Sequence, residues 1–134
     1  MTNTEAKWSS IHPKTPEVIE CNIEKTLDVL GGKWAFLVIR ELFCGTRRFG
    51  ELQRLIPAVS PRALTSTLRH LEEHGVLERR VYPTVPVTVE YRITPLGRTL
   101  HQAVKFISDW AEGNIEAVLS AQAAYDERTD RPLS

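Results

Sequence analysis

The segment S-P-R-A-L-T-S-T-L-R-H-L-E-E-H-G (60–75), followed at once by two runs of β-branched residues, leaves few folds open to this chain. Ser60 is a helix N-cap, and Pro61 occupies the first helical position, where a missing N–H costs nothing. Leu64, Leu68 and Leu71 recur at helical spacing to form a buried stripe, and Gly75 supplies the C-terminal stop. Val76–Val81 and Val87–Thr94 read as strands joined by the turn-forming segment Pro83–Pro86, a β-hairpin. A capped helix running into a hairpin is the heart of a winged helix-turn-helix.

The flanking segments fit that layout. Ile19, Ile23, Leu27 and Leu30 give one amphipathic face over 18–30, ended by Gly31 and Gly32. A second helix is expected over 33–43, with Trp34, Leu37, Val38, Leu42 and Phe43 for burial, and a short one over 49–55 before Pro57. Thr94 and Pro95 repeat the cap-plus-proline start and open a single long helix whose Leu96, Leu100, Val104, Ile107, Ala111 and Val118 share a face. The fold class is therefore mainly α with a small β-hairpin. An irregular arm is expected over 1–16, the winged helix-turn-helix domain with its flanking helices over 17–120 and a flexible acidic tail over 121–134.

At 134 residues the chain has room for one core, and its 42% hydrophobic and 25% charged residues are ordinary for a globular domain. Seventeen basic and seventeen acidic residues sum to zero, yet residues 1–30 carry −2, 31–70 carry +5, 71–108 carry +1 and 109–134 carry −4. The positive charge is thus concentrated around the two central helices, where it can meet phosphate.

Opposite the leucines of the 61–74 helix lie Arg62, Thr65, Ser66, Arg69 and His70, a face without a carboxylate until Glu72 and Glu73 at its far end. Arginine bonds guanine O6 and N7 bidentately, and hydroxyls bond base edges or phosphates. Ser60, at the helix start, joins this set. Arg47 and Arg48 precede the short helix, where free N–H groups already favour an anion, and suit phosphate contact. In the hairpin, strand alternation allows only one of Arg79 and Arg80 to face DNA, and Arg80 is taken as the candidate.

With these residues named, the chain resembles the HxlR family of winged-helix transcriptional regulators. The likeness rests on C-N-I-E-K-T-L-D-V-L-G-G-K-W (21–34), R-R-F-G-E-L (47–52), S-P-R-A-L-T-S-T-L-R-H-L-E (60–72), V-Y-P-T-V-P-V-T-V-E-Y (81–91) and T-P-L-G (94–97). It implies a homodimer built by N- and C-terminal dimerisation helices, with two recognition helices on a near-palindromic operator, and a regulator expected to repress. The stripe of Leu100, Val104, Ile107 and Trp110 exceeds what so small a core needs and is the expected dimer interface. Two departures are visible: Cys21 precedes Asn22 where the family usually has proline, and the wing reads Pro86-Val87-Thr88-Val89, without a basic residue.

The resemblance also implies that Cys21 can sense an oxidant or electrophile, since a helix start lowers a thiol pKa, although Glu20 and Glu24 act against this. The alternative is a packing cysteine, and Cys44 is read as structural. Partners are therefore double-stranded DNA, a second copy and an oxidant or small-molecule effector. His70 and His74 lie four apart, but only Glu73 is near enough to add a ligand, so no metal and no cofactor are expected. No G-x-S-x-G, H-E-x-x-H or Gly-rich phosphate loop is present, so an enzyme is not expected. The apolar stretch 34–39 is far too short for a bilayer, and a cytoplasmic protein without membrane partners is expected. The competing reading is a winged-helix interaction module that binds no DNA.

Overall fold

The computed structural model describes residues 16–129, with side chains described from Asn22 onward. The arm expected over 1–16 falls outside the described residues except for Pro16, as do the side chain of Cys21 and residues 130–134.

Helix α1 spans Pro16–Val29 and α2 Gly32–Phe43. The turn between them places Gly32 at φ 80°, in the left-handed region that favours glycine. Strand β1 is Arg47–Arg48, and α3 spans Phe49–Leu55. The Arg48 backbone N–H donates to Glu51 Oε1 at 3.0 Å, which pins the start of α3. Helix α4 covers Pro61–Glu73, strands β2 and β3 cover Leu77–Tyr82 and Thr88–Ile93, α5 covers Pro95–Arg98 and α6 covers His101–Thr129.

The expected signals act in α4. The Ala63 N–H donates to Ser60 Oγ at 3.1 Å, Pro61 follows the cap, and Gly75 turns the chain at φ 74°. Leu64, Leu68 and Leu71 are buried against Val38, Ile39 and Leu42 of α2, Leu52 of α3, and Leu77 and Ile93 of the sheet. Every one of these side chains is apolar, so the core needs no buried polar partners.

Three expectations change. The hairpin is part of a three-stranded antiparallel sheet in the order β1-β3-β2, with Arg47 opposite Tyr91, Arg48 opposite Glu90, and Leu77 opposite Ile93. Two residues show no alternation, so β1 is fixed only by the edge that β3 offers. The single long helix expected from Pro95 is divided: α5 ends at Arg98, and the Thr99 and Leu100 N–H groups donate to carbonyls three residues back, a tighter winding than the α-helix. Gly97 is the physical reason α5 sits so close to the sheet. A Cβ there would fall on the Val76 carbonyl oxygen and the Ile93 side chain. Finally, the segment from 121 is helical through Thr129 rather than frayed.

Helix α6 is the outlier. At 29 residues it is about 43 Å long, and Val104 is its only buried residue. Val104, expected at a dimer interface, is 2% exposed and belongs to the protomer's own core, with Leu100 packed half-buried beside it. Ile107 and Trp110 are 45% and 52% exposed, and Phe106, Ile115, Val118, Leu119 and Tyr125 are exposed beyond them. On α1, Ile23 and Leu27 are likewise exposed.

Candidate nucleic-acid interface

Pro61, Arg62, Thr65, Ser66 and Arg69 line one shallow, open depression along α4. Leucines bury the opposite side of the helix, so the core fixes the direction in which these polar side chains project. Arg62 and Arg69 are exposed, and neither forms an ion pair among the described residues. Their guanidinium groups remain available to a bidentate acceptor. Thr65 Oγ1 donates to the Pro61 carbonyl at 2.8 Å, which leaves its lone pairs to accept from an outside donor. Ser60 Oγ accepts from Ala63 and keeps its own O–H to donate.

Two sequence candidates are turned elsewhere. The His70 ring donates from Nε2 to the Asp28 carbonyl oxygen of α1, at 2.6 Å, and His70 is absent from the depression. A carbonyl only accepts, so the proton is on Nε2. His74 Nδ1 likewise donates to the His70 carbonyl at 2.7 Å, and the two rings lie 4.3 Å apart. Arg47 and Arg48 are adjacent strand residues and project to opposite faces of the sheet. Arg48 is exposed at the start of α3, whereas Arg47 is half-buried with its Nε enclosed.

The wing is divided by the same parity. Glu78, Arg80 and Arg92 share one face, where the Glu78 carboxylate pairs with Arg92 Nε and lies 3.8 Å from Arg80 Nη2. Glu90 stands opposite Arg80 on the same face, so two guanidinium groups meet two carboxylates and leave no net charge. Arg79 lies on the other face with Tyr91, whose phenol is held above its ordinary range by burial and by Glu72, partly offset by Arg79. Tyr91 is therefore neutral at physiological pH. The sequence contained the clue to this arrangement: Leu77 is a core residue, so Arg79 shares its face and Arg80 does not. The wing tip presents Val85, fully exposed, and Val87, and is tied by Thr84 Oγ1 to the Pro86 carbonyl and Thr88 Oγ1, each at 2.8 Å.

Cys21 is the sixth residue of α1, past its first turn, and its side chain lies outside the described residues. Cys44, expected to be structural, is exposed at the end of α2, with Sγ 3.9 Å from the Arg40 carbonyl. Among the described residues no group of His, Cys, Asp and Glu is placed to hold a metal ion, and no helix is long and apolar enough to cross a membrane.

A short helix, a capped second helix with a free polar face and a three-stranded wing define a winged helix-turn-helix protein. Residues 29–118 match the model of the HxlR-like helix-turn-helix family, and the chain belongs to that family. It is 41% identical over 104 residues to the HTH-type transcriptional regulator YdeP of Bacillus subtilis, covering 78% of this chain and 81% of the relative. Among solved structures, the redox regulator HypR in its reduced form is 41% identical with a TM-score of 0.71, covering 74% of this chain and 98% of that one. Diamide-treated YodB from B. subtilis is 32% identical with a TM-score of 0.60, covering 76% and 96% respectively.

Proposed function

We propose that this protein is a sequence-specific DNA-binding transcriptional regulator that acts in the cytoplasm as a homodimer on a near-palindromic operator, reading bases with α4. The observation that carries this reading is the α4 face of Arg62, Thr65, Ser66 and Arg69, exposed, free of carboxylates and held rigidly by the leucines behind it. Arg48 supplies a phosphate contact at the start of α3, and Arg80 a further one from the outer face of the wing once it leaves Glu78. Repression follows if the operator overlaps a promoter. The test is selection of bound sequences from a random double-stranded pool at near-physiological salt with reductant. An inverted repeat with half-sites about one helical turn apart, or a multiple of it, supports the reading. Recovery of no motif favours an interaction module.

Dimerisation is supported by the exposed apolar stripes of α1 and α6, which a second copy covers best because a twofold pair matches a patch to itself. Ile107→Asp is expected to shift the protein to a monomer in sedimentation and to weaken operator binding at least tenfold, with the protomer still folded. Burying a new carboxylate in an apolar interface costs several kcal/mol, whereas on an exposed protomer surface it costs little.

An oxidant effector acting through Cys21 is supported by the likeness to HypR, a redox regulator solved in reduced and oxidised forms. Diamide is expected to release the wild-type protein from its operator and to leave Cys21→Ser bound, read by mobility shift. Release of both proteins alike would remove Cys21 as the sensor.

A further inference from the structure

Among its described side chains, helix α1 is joined to the rest of the protomer by very little. Residues 22–28 are all exposed, and of those described only Val29 and Leu30 at its end pack half-buried against the core. The single long-range side-chain hydrogen bond to α1 among the described residues is the one from His70 Nε2 to the Asp28 carbonyl, spanning 42 positions. That bond joins the last turn of α1 to the third turn of α4, on the flank next to the depression formed by Arg62, Thr65, Ser66 and Arg69. The His74 ring, itself bonded to the His70 carbonyl, lies against the His70 ring and restricts its rotation.

We infer that His70 is a positioning residue that reads no base, and that it fixes the angle between the dimerising helix α1 and the DNA-reading helix α4. This rests on the dimeric reading above. In a twofold dimer the distance and twist between the two recognition helices are set by how each α4 is held to the elements at the interface. A loose α1 lets that geometry vary. A base reader and a tether therefore differ in what they control: the first fixes one letter of the half-site, the second fixes the spacing between half-sites.

The experiment compares full-length wild type, His70→Ala and His70→Gln on the selected operator and on the same operator with one base pair inserted between half-sites. The insertion moves one half-site by about 3.4 Å and rotates it by about 35°. Glutamine carries an amide N–H close to the position of Nε2, so it restores the donor without the ring. His70→Ala is expected to reduce discrimination against the insertion roughly fivefold, the factor that one net hydrogen bond represents. His70→Gln is expected to keep it, and the motif selected by all three proteins is expected to be the same. A changed base preference in His70→Ala, undiminished discrimination in it, or failure of glutamine to rescue overturns the inference. If His70→Ala loses helical content, His70→Asn, one methylene too short to reach Asp28, takes its place. A monomeric wild type in sedimentation overturns the dimeric reading and the tether with it, before any variant is compared.

Discussion

On the dimeric reading, Arg62→Ala and Arg69→Ala are each expected to weaken operator binding by about 2–6 kcal/mol, because each substitution removes two contacts worth about 1–3 kcal/mol apiece. The loss should be confined to the cognate sequence. On random DNA the same variants should bind nearly as well as wild type, and the selected motif should lose preference at one position in each half-site. Arg48→Ala is the control. It should weaken all sequences alike and flatten the salt dependence by about one unit for every Arg48 that touches a phosphate. Titrations of each variant on cognate and scrambled duplexes across a salt series measure all three. Identical behaviour of the three would dissolve the division between base readers and phosphate clamps.

Gly97→Ala is expected to destabilise the protein by roughly 3–5 kcal/mol and to lower its melting temperature by roughly 10–20 °C, a large part of a domain's usual stability. The added methyl group meets the Val76 carbonyl oxygen, which is backbone and has no rotamer to escape into. That oxygen accepts from the Thr94 N–H and from Thr94 Oγ1, both at 3.0 Å. Relieving the clash therefore moves the start of the wing and breaks the joint between sheet and α5. Thermal unfolding followed by circular dichroism measures the effect. A shift of less than about 3 °C would mean that the sheet base gives more easily than its hydrogen bonds imply.

The local rules of the chain were legible where one element carried its own signals. The Ser60 cap, Pro61 and the three leucines of α4 are each in the structure as expected, and the two strands fall within about two residues of the expected runs. What could not be read depended on neighbours distant in sequence. Arg47 and Arg48 look equivalent until a strand edge separates them to opposite faces. His70 sits at the border between the leucine face and the arginine face of its helix, and only the position of the Asp28 carbonyl decides which way it turns. Val104 and Ile107 are both apolar on the same stripe, and the break at Thr99–Leu100 sets the point where α6 leaves its own core. Nothing in the apolar periodicity marks that point, since period counts residues along a helix and is silent about what the helix meets.

The length of α6 that lies beyond Val104 bears on how the regulator answers to its own abundance. A protomer offers one recognition helix and an uncovered apolar face, so on the dimeric reading pairing precedes tight operator contact. Below the dimer dissociation constant, operator occupancy then rises with the square of protomer concentration. A twofold change in synthesis becomes about a fourfold change in bound complex at limiting protein. On that reading the exposed stripe makes the regulator a sensor of its own dose.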